Sequence, residues 1–143
     1  MHFTLTLSEI NSLVERFRDR TLPISEWTHQ AHLVVGLWFA KHYTHEEAVC
    51  YLRSGIISYN NAVGTPNTPE RGYHETLTLF WAKVARDFVE NHPDLDFETL
   101  CNTFLNSEFA SREYPFQFYE REELFSTKAR AFFVESGMKG KMK

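Results

Sequence analysis

Two histidines, His29 and His32, stand three residues apart in Trp27-Thr28-His29-Gln30-Ala31-His32-Leu33, at the head of the most hydrophobic run of the chain. If that run is helical, the two are neighbours on one face, with roughly 5–6 Å between their β-carbons. Neutral imidazoles at that spacing can converge on one ion, since zinc binds histidine nitrogen at roughly 2.0–2.1 Å. Glu26 lies three residues before His29, in an adjacent row of the same predicted face. A further imidazole, His74, comes from a second segment, Tyr73-His74-Glu75-Thr76, that opens another apolar helix. The metal candidates are therefore His29, His32 and His74, holding a divalent zinc, iron or manganese ion with an open position. Such an ion lowers the pKa of a bound water and supplies hydroxide near neutral pH, which points to a hydrolytic or otherwise metal-assisted enzyme. Glu75 is the candidate general base. Consecutive helix positions face different ways, so Glu75 also reads as a first-turn carboxylate favoured by the helix dipole.

The same residues support two other readings. In one, the histidines line a metal-free pocket as acid–base or binding groups for a polar or anionic small molecule. In the other, they are interior residues hydrogen-bonded to their surroundings. The connector Tyr59-Asn60-Asn61-Ala62-Val63-Gly64-Thr65-Pro66-Asn67-Thr68-Pro69 bears on the choice, being rich in amides and hydroxyls. Asn60 and Asn67 are candidate ligand donors, and pinning of the loop by Asn side chains bonded to nearby backbone is the stronger habit. Arg71 is a candidate anion clamp and Tyr73 a pocket residue. Thr78, one turn below His74, either orients that imidazole or bonds to a backbone carbonyl.

The elements that must position these groups are helices. A chain of 143 residues fits one domain spanning 1–143. Ile10, Leu13, Val14 and Phe17 mark one face of a first helix capped by Ser8 and ending near Arg20, before Leu22-Pro23. Met1 to Leu7 reads as a weak strand or an extended lead-in. The second helix, from Ser25–Thr28 to about Tyr43, is apolar on most faces and belongs at the centre. Its Gly36 shares a face with His29, His32 and Ala40 and reads as a place of close approach for a helix or a ligand. Thr44 and Glu47 form a capping box for a third helix that Gly64 terminates. A fourth runs from near Tyr73 to Asn91 with Leu77, Phe80, Trp81, Val84, Ala85 and Phe88 inward, and a fifth carries Phe97, Leu100, Cys101, Phe104 and Leu105. Ser107 to Arg112 reads as a further turn, Tyr114 to Tyr119 as an aromatic loop for the core or a lid, and Ser126 as the cap of a last helix through Phe132 and Phe133. The expected fold is an all-α, single compact bundle of five to seven helices.

Composition narrows the function class. A net charge of -4 argues against a general nucleic-acid binder, which needs a basic face. Lys139, Lys141 and Lys143 form a short basic tail. Thirteen phenylalanines promise a core of large side chains. Cys50 and Cys101 sit in apolar helical patterns and read as buried thiols of a reducing compartment. With no signal-peptide pattern and no apolar run long enough for a bilayer, the expectation is a cytoplasmic protein with a small-molecule partner and neither membrane nor nucleic acid.

Several motifs act together here. Trp27-Thr28-His29-x-x-His32-Leu33, Tyr59-Asn60-x-Ala62-x-Gly64-x-x-Asn67-Thr68 and Gly72-Tyr73-His74-Glu75-Thr76-Leu77-Thr78 resemble an uncharacterised bacterial protein family. The ending Tyr119-x-Arg121-Glu122-x-Leu124-Phe125-Ser126-x-x-Ala129-Arg130 is similar to the same family's C-terminal pattern. The resemblance implies a shared fold and a shared pocket, supplies no substrate, and draws attention to Arg121, Ser126 and Arg130. The residues themselves read there as a capped helix with an anchoring arginine.

Overall fold

The computed structural model describes residues 2–65 and 67–136, and within these the chain is all-helical, with seven α-helices and no strand. The basic tail of Lys139, Lys141 and Lys143 lies outside the described residues. Local chemistry sets the boundaries. Helix α1, Leu7–Arg18, is opened by a capping box in which Thr6 accepts from Glu9 N and Glu9 bonds back to Thr6 N. The cap is thus Thr6 and not Ser8, because only Thr6 has a glutamate at the third helical position to reciprocate. The lead-in before it is extended but pairs with no strand. The backbone of Phe3 and Leu5 is bonded instead by the side-chain amides of Asn106 and Asn102.

Helix α2, His29–His42, is capped by Thr28, whose hydroxyl accepts from Ala31 N. Ala31, Leu33, Val34, Val35, Gly36, Leu37, Phe39 and Ala40 are all buried. Such a helix must be surrounded, and α2 packs against α1 and against α3, His45–Ala62, α4, Glu75–Asn91, and α5, Phe97–Leu105. The Thr44–Glu47 capping box opens α3. Just past its end Gly64 takes a φ of 81°, a left-handed conformation that glycine adopts without a β-carbon penalty.

After α5 the chain becomes short-paced: 3-10 turns at Glu108–Ala110 and Tyr114–Gln117, then α6, Arg121–Leu124, and α7, Thr127–Ala131. Ser126 caps α7, and its hydroxyl accepts from Ala129 N. Buried Thr76 ties this end to the start of α4, donating to Ala129 O at 2.6 Å. The last helix stops at Ala131 and does not run through Phe132 and Phe133 as expected; these rings are 69% and 45% exposed. Five residues of helix cannot carry an amphipathic stripe that far once the backbone turns extended at Phe132. Cys101 is buried as expected, whereas Cys50 is exposed, because the inward face of α3 runs through Ala48, Leu52 and Tyr59. No helix among the described residues is long and apolar enough to cross a membrane.

Candidate functional site

The start of α2, the middle of α3 and the start of α4 enclose a cavity of about 460 Å³, open on one side. This falls within the range, roughly 300–1,000 Å³, of small-molecule sites. Its walls are largely apolar and aromatic, built by Trp27, Leu33, Leu52, Ile56, Leu77, Trp81 and Ala85. Polar groups enter at a few points: His29 and His32 from α2, Asn60 from α3, Tyr73, His74 and Thr78 around the start of α4, and Arg112 from the segment after α5.

The two α2 histidines have their ring orientation fixed by backbone. His29 Nε2 lies 2.8 Å from Ala110 O, and His32 Nδ1 lies 2.8 Å from Thr28 O. A carbonyl only accepts, so each of these nitrogens carries the proton and donates. The other nitrogen of each neutral ring, Nδ1 of His29 and Nε2 of His32, therefore presents a lone pair. Burial lowers the pKa of both, with Arg112 adding repulsion, and His32 falls to about 4. His32 has substantial accessible area because it faces the open cavity, yet protein crowds it on its other sides. One face of its ring stacks on Trp27 at 3.7 Å between centroids, and Trp27 in turn stacks on Phe17 at 4.7 Å. His29 meets the edge of Trp81 at 5.4 Å.

His74 is employed differently. It is the N-cap of α4, its Nδ1 accepting from Leu77 N at 3.1 Å. Its Nε2 must then bear the proton, and it donates to Leu124 O at 2.7 Å. Both nitrogens are occupied by the fold, and burial lowers the pKa of this ring as well. Among the described residues no three His, Cys, Asp or Glu side chains gather as a metal site would require. Glu26 does not share the α2 face expected of it. It sits on a separate 3-10 turn, Ile24–Glu26, and pairs with Arg16 at 3.1 Å, because the helix begins only at His29.

Glu75 points away from the imidazoles. Arg53 grips its carboxylate in a fork, Nε to Oε1 at 3.0 Å and Nη2 to Oε2 at 2.6 Å, and the Tyr73 hydroxyl donates to Oε1. Burial pushes the Glu75 carboxyl up, but the bonds from Arg53 and Tyr73 outweigh it and hold the group below its usual range. Burial and the adjoining carboxylate raise the Tyr73 phenol. Glu75 thus borders a neighbouring cleft with Arg53, Asn67 and Arg130, while Tyr73 stands between that cleft and the histidine cavity.

The connector is pinned by its amides. Asn67 Oδ1 accepts from Asn60 Nδ2 at 3.2 Å and from Tyr73 N at 2.6 Å, so Asn60 alone of the pair lines the histidine cavity. Arg71 is exposed and is not one of the cavity's walls. The guanidinium that does line it is Arg112, which spacing alone did not single out. Arg112 lies in a short irregular segment far along the chain from the histidines, and no periodicity marks it. Arg130 anchors the C-terminal end, donating to Gly72 O at 3.3 Å, and Arg121 lies over the ring of Phe116 at 4.2 Å.

Gly36 completes the site. It is buried in the middle of α2 and lines the cavity, yet a β-carbon built on it meets nothing within 4 Å. Gly55 on α3 is the contrast, since its β-carbon would lie 3.2 Å from the Phe17 ring. Close packing explains Gly55. Around Gly36 there is open space where a helix would gain roughly 1 kcal/mol from alanine.

No family model matches the chain, and no curated protein or solved structure was found to be similar to it.

Proposed function

We propose that this protein binds a small organic molecule in the cavity between α2, α3 and α4, without a metal, using His29 and His32 as neutral hydrogen-bond acceptors. The observation that carries the reading is Gly36. A mid-helix glycine whose β-carbon would meet nothing within 4 Å keeps volume free in the cavity that the two histidines line, at a cost of roughly 1 kcal/mol in helix propensity. Aromatic and aliphatic walls suit an apolar ligand body, and the two lone pairs suit a donor on it. Ligand-induced thermal stabilisation tests this, since a ligand of the folded state raises stability by RT ln(1 + [L]/Kd). A hit should stabilise the native protein in the presence of chelator and lose its effect in Gly36→Leu, whose side chain fills the cavity. Stabilisation that survives Gly36→Leu would place binding elsewhere.

A metal-assisted reaction is the second reading. It is favoured by the fixed tautomers, because an imidazole whose N–H is held by a backbone carbonyl has the arrangement common to metal-ligating histidines. The available donors are two imidazoles without a carboxylate, and His74 has no lone pair to spare while it caps α4. Elemental analysis of tag-free protein beside His32→Ala decides it: one equivalent of zinc, iron or manganese that vanishes in the variant would establish the metal.

A further inference from the structure

We infer that the ligand of this cavity is a hydroxy acid with an apolar body: a single carboxylate at Arg112, a hydroxyl at the His29–His32 pair, and a hydrocarbon or aromatic portion over Gly36. The inference rests on the pocket reading above and deepens it. Among the described residues, Arg112 is the only cavity wall residue with a permanent charge. Among the described residues it has no carboxylate within ion-pairing distance, in contrast to Arg16, Arg53 and Arg121. It lies close enough to repel a proton on either histidine, so its charge reaches the space those rings face. A lone guanidinium matches one negative charge, and its planar fork matches a carboxylate.

The imidazoles then fix the second group. Each donates its N–H to a backbone carbonyl, so toward the cavity each can only accept. The ligand must bring the proton. A hydroxyl does so without charge, whereas an ammonium would be repelled by the same Arg112 that attracts the carboxylate. The remaining volume is bounded by Leu33, Leu77, Trp81 and Ala85 and is left open by the missing side chain at Gly36. Apolar surface is what this region exchanges most favourably with water.

The experiment compares three probes of one shape, phenyllactate, its methyl ester and hydrocinnamate, by titration while following the indole N–H signals of Trp27 and Trp81 by NMR. Phenyllactate should bind about fivefold tighter than the ester, as for one exposed ion pair. It should also exceed hydrocinnamate, which lacks the hydroxyl, by about fivefold, as for one hydrogen bond. Arg112→Gln should erase the first difference and keep the second, and His32→Leu the reverse. Equal binding of acid and ester, or an acid preference untouched by Arg112→Gln, overturns the carboxylate assignment and leaves the pocket reading standing. Failure of all three to shift Trp27 and Trp81 overturns this inference, and identical shifts in Gly36→Leu overturn the pocket reading with it.

Discussion

The head of α2 and the head of α4 both place histidines against the same cavity, and the fold treats them in opposite ways. At α4, His74 accepts from Leu77 N with one nitrogen and donates to Leu124 O with the other, so its bonding capacity is exhausted by structure. At α2 the capping task belongs to the Thr28 hydroxyl. His29 and His32 each spend one nitrogen on a carbonyl and keep the other open. A histidine that serves as N-cap is committed by position; histidines one and four residues past a threonine cap are not. The lesson is that at a helix start the identity of the cap decides which imidazoles remain for chemistry.

Substitutions at the two heads should separate these roles. The largest effect is expected at His74. Replacing it with alanine removes the α4 cap and leaves Leu124 O buried without its donor, costing about 2–3 kcal/mol in urea unfolding. His32→Ala, which loses its stack on Trp27 and a bond within its own turn, should cost about 1 kcal/mol or less. Equal losses at the two positions would break the comparison.

Next in size is the network behind Tyr73. Glu75→Gln weakens the forked pair with Arg53, and because Arg53 is partly exposed the expected loss is about 1 kcal/mol by thermal unfolding. The variant should leave binding at the histidine cavity largely intact, since Glu75 borders the other cleft. A loss of binding without a loss of stability would instead return Glu75 to the role of general base.

Gly36→Ala should act in the opposite direction. With nothing within 4 Å of the added carbon, α2 should gain about 0.5–1 kcal/mol, read as a raised Tm. Ligand affinity should fall at the same time. Destabilisation would show that the space around Gly36 closes in solution.

Because the His32 ring is exposed and solvent screens it, the smallest effect is on pH dependence. His29, His32 and His74 all have folded pKa values below the unfolded one. Below pH 6.5 the unfolded chain takes up protons that the folded rings refuse, so stability contributed by neutral His32 is complete above that pH and is lost as pH falls toward about 4. His32→Gln should flatten the fall of Tm across this window. An unchanged profile would mean that His32 titrates normally in the folded protein.

Much of this site was legible along the chain. The His29–His32 pair, the capping box at Thr44, the stop at Gly64 and the buried stripe of α4 are all written in local spacing, because helix periodicity and caps are short-range physics. The pinning of the connector by Asn60 and Asn67 was also foreseeable, since amides bond to nearby backbone. Less so were the acceptors of His29 and His74, the Ala110 and Leu124 carbonyls, which lie 81 and 50 residues away. Backbone oxygens carry no sequence signature, so nothing in the spacing told which ring nitrogens would remain open. Glu75 adjoins His74 in sequence, and only the position of Arg53 on α3 turned its carboxylate away.

The sequence by itself determined an all-helical chain, its central apolar helix and the two segments that carry the histidines, because hydrophobic periodicity and capping act within a few residues. Tertiary structure alone decided that Arg112 and not Arg71 lines the cavity, that Gly36 faces open space while Gly55 faces Phe17, and which imidazoles keep a lone pair. Those outcomes depend on which distant backbone and side chains arrive at the same place, and that is set by packing of the whole bundle.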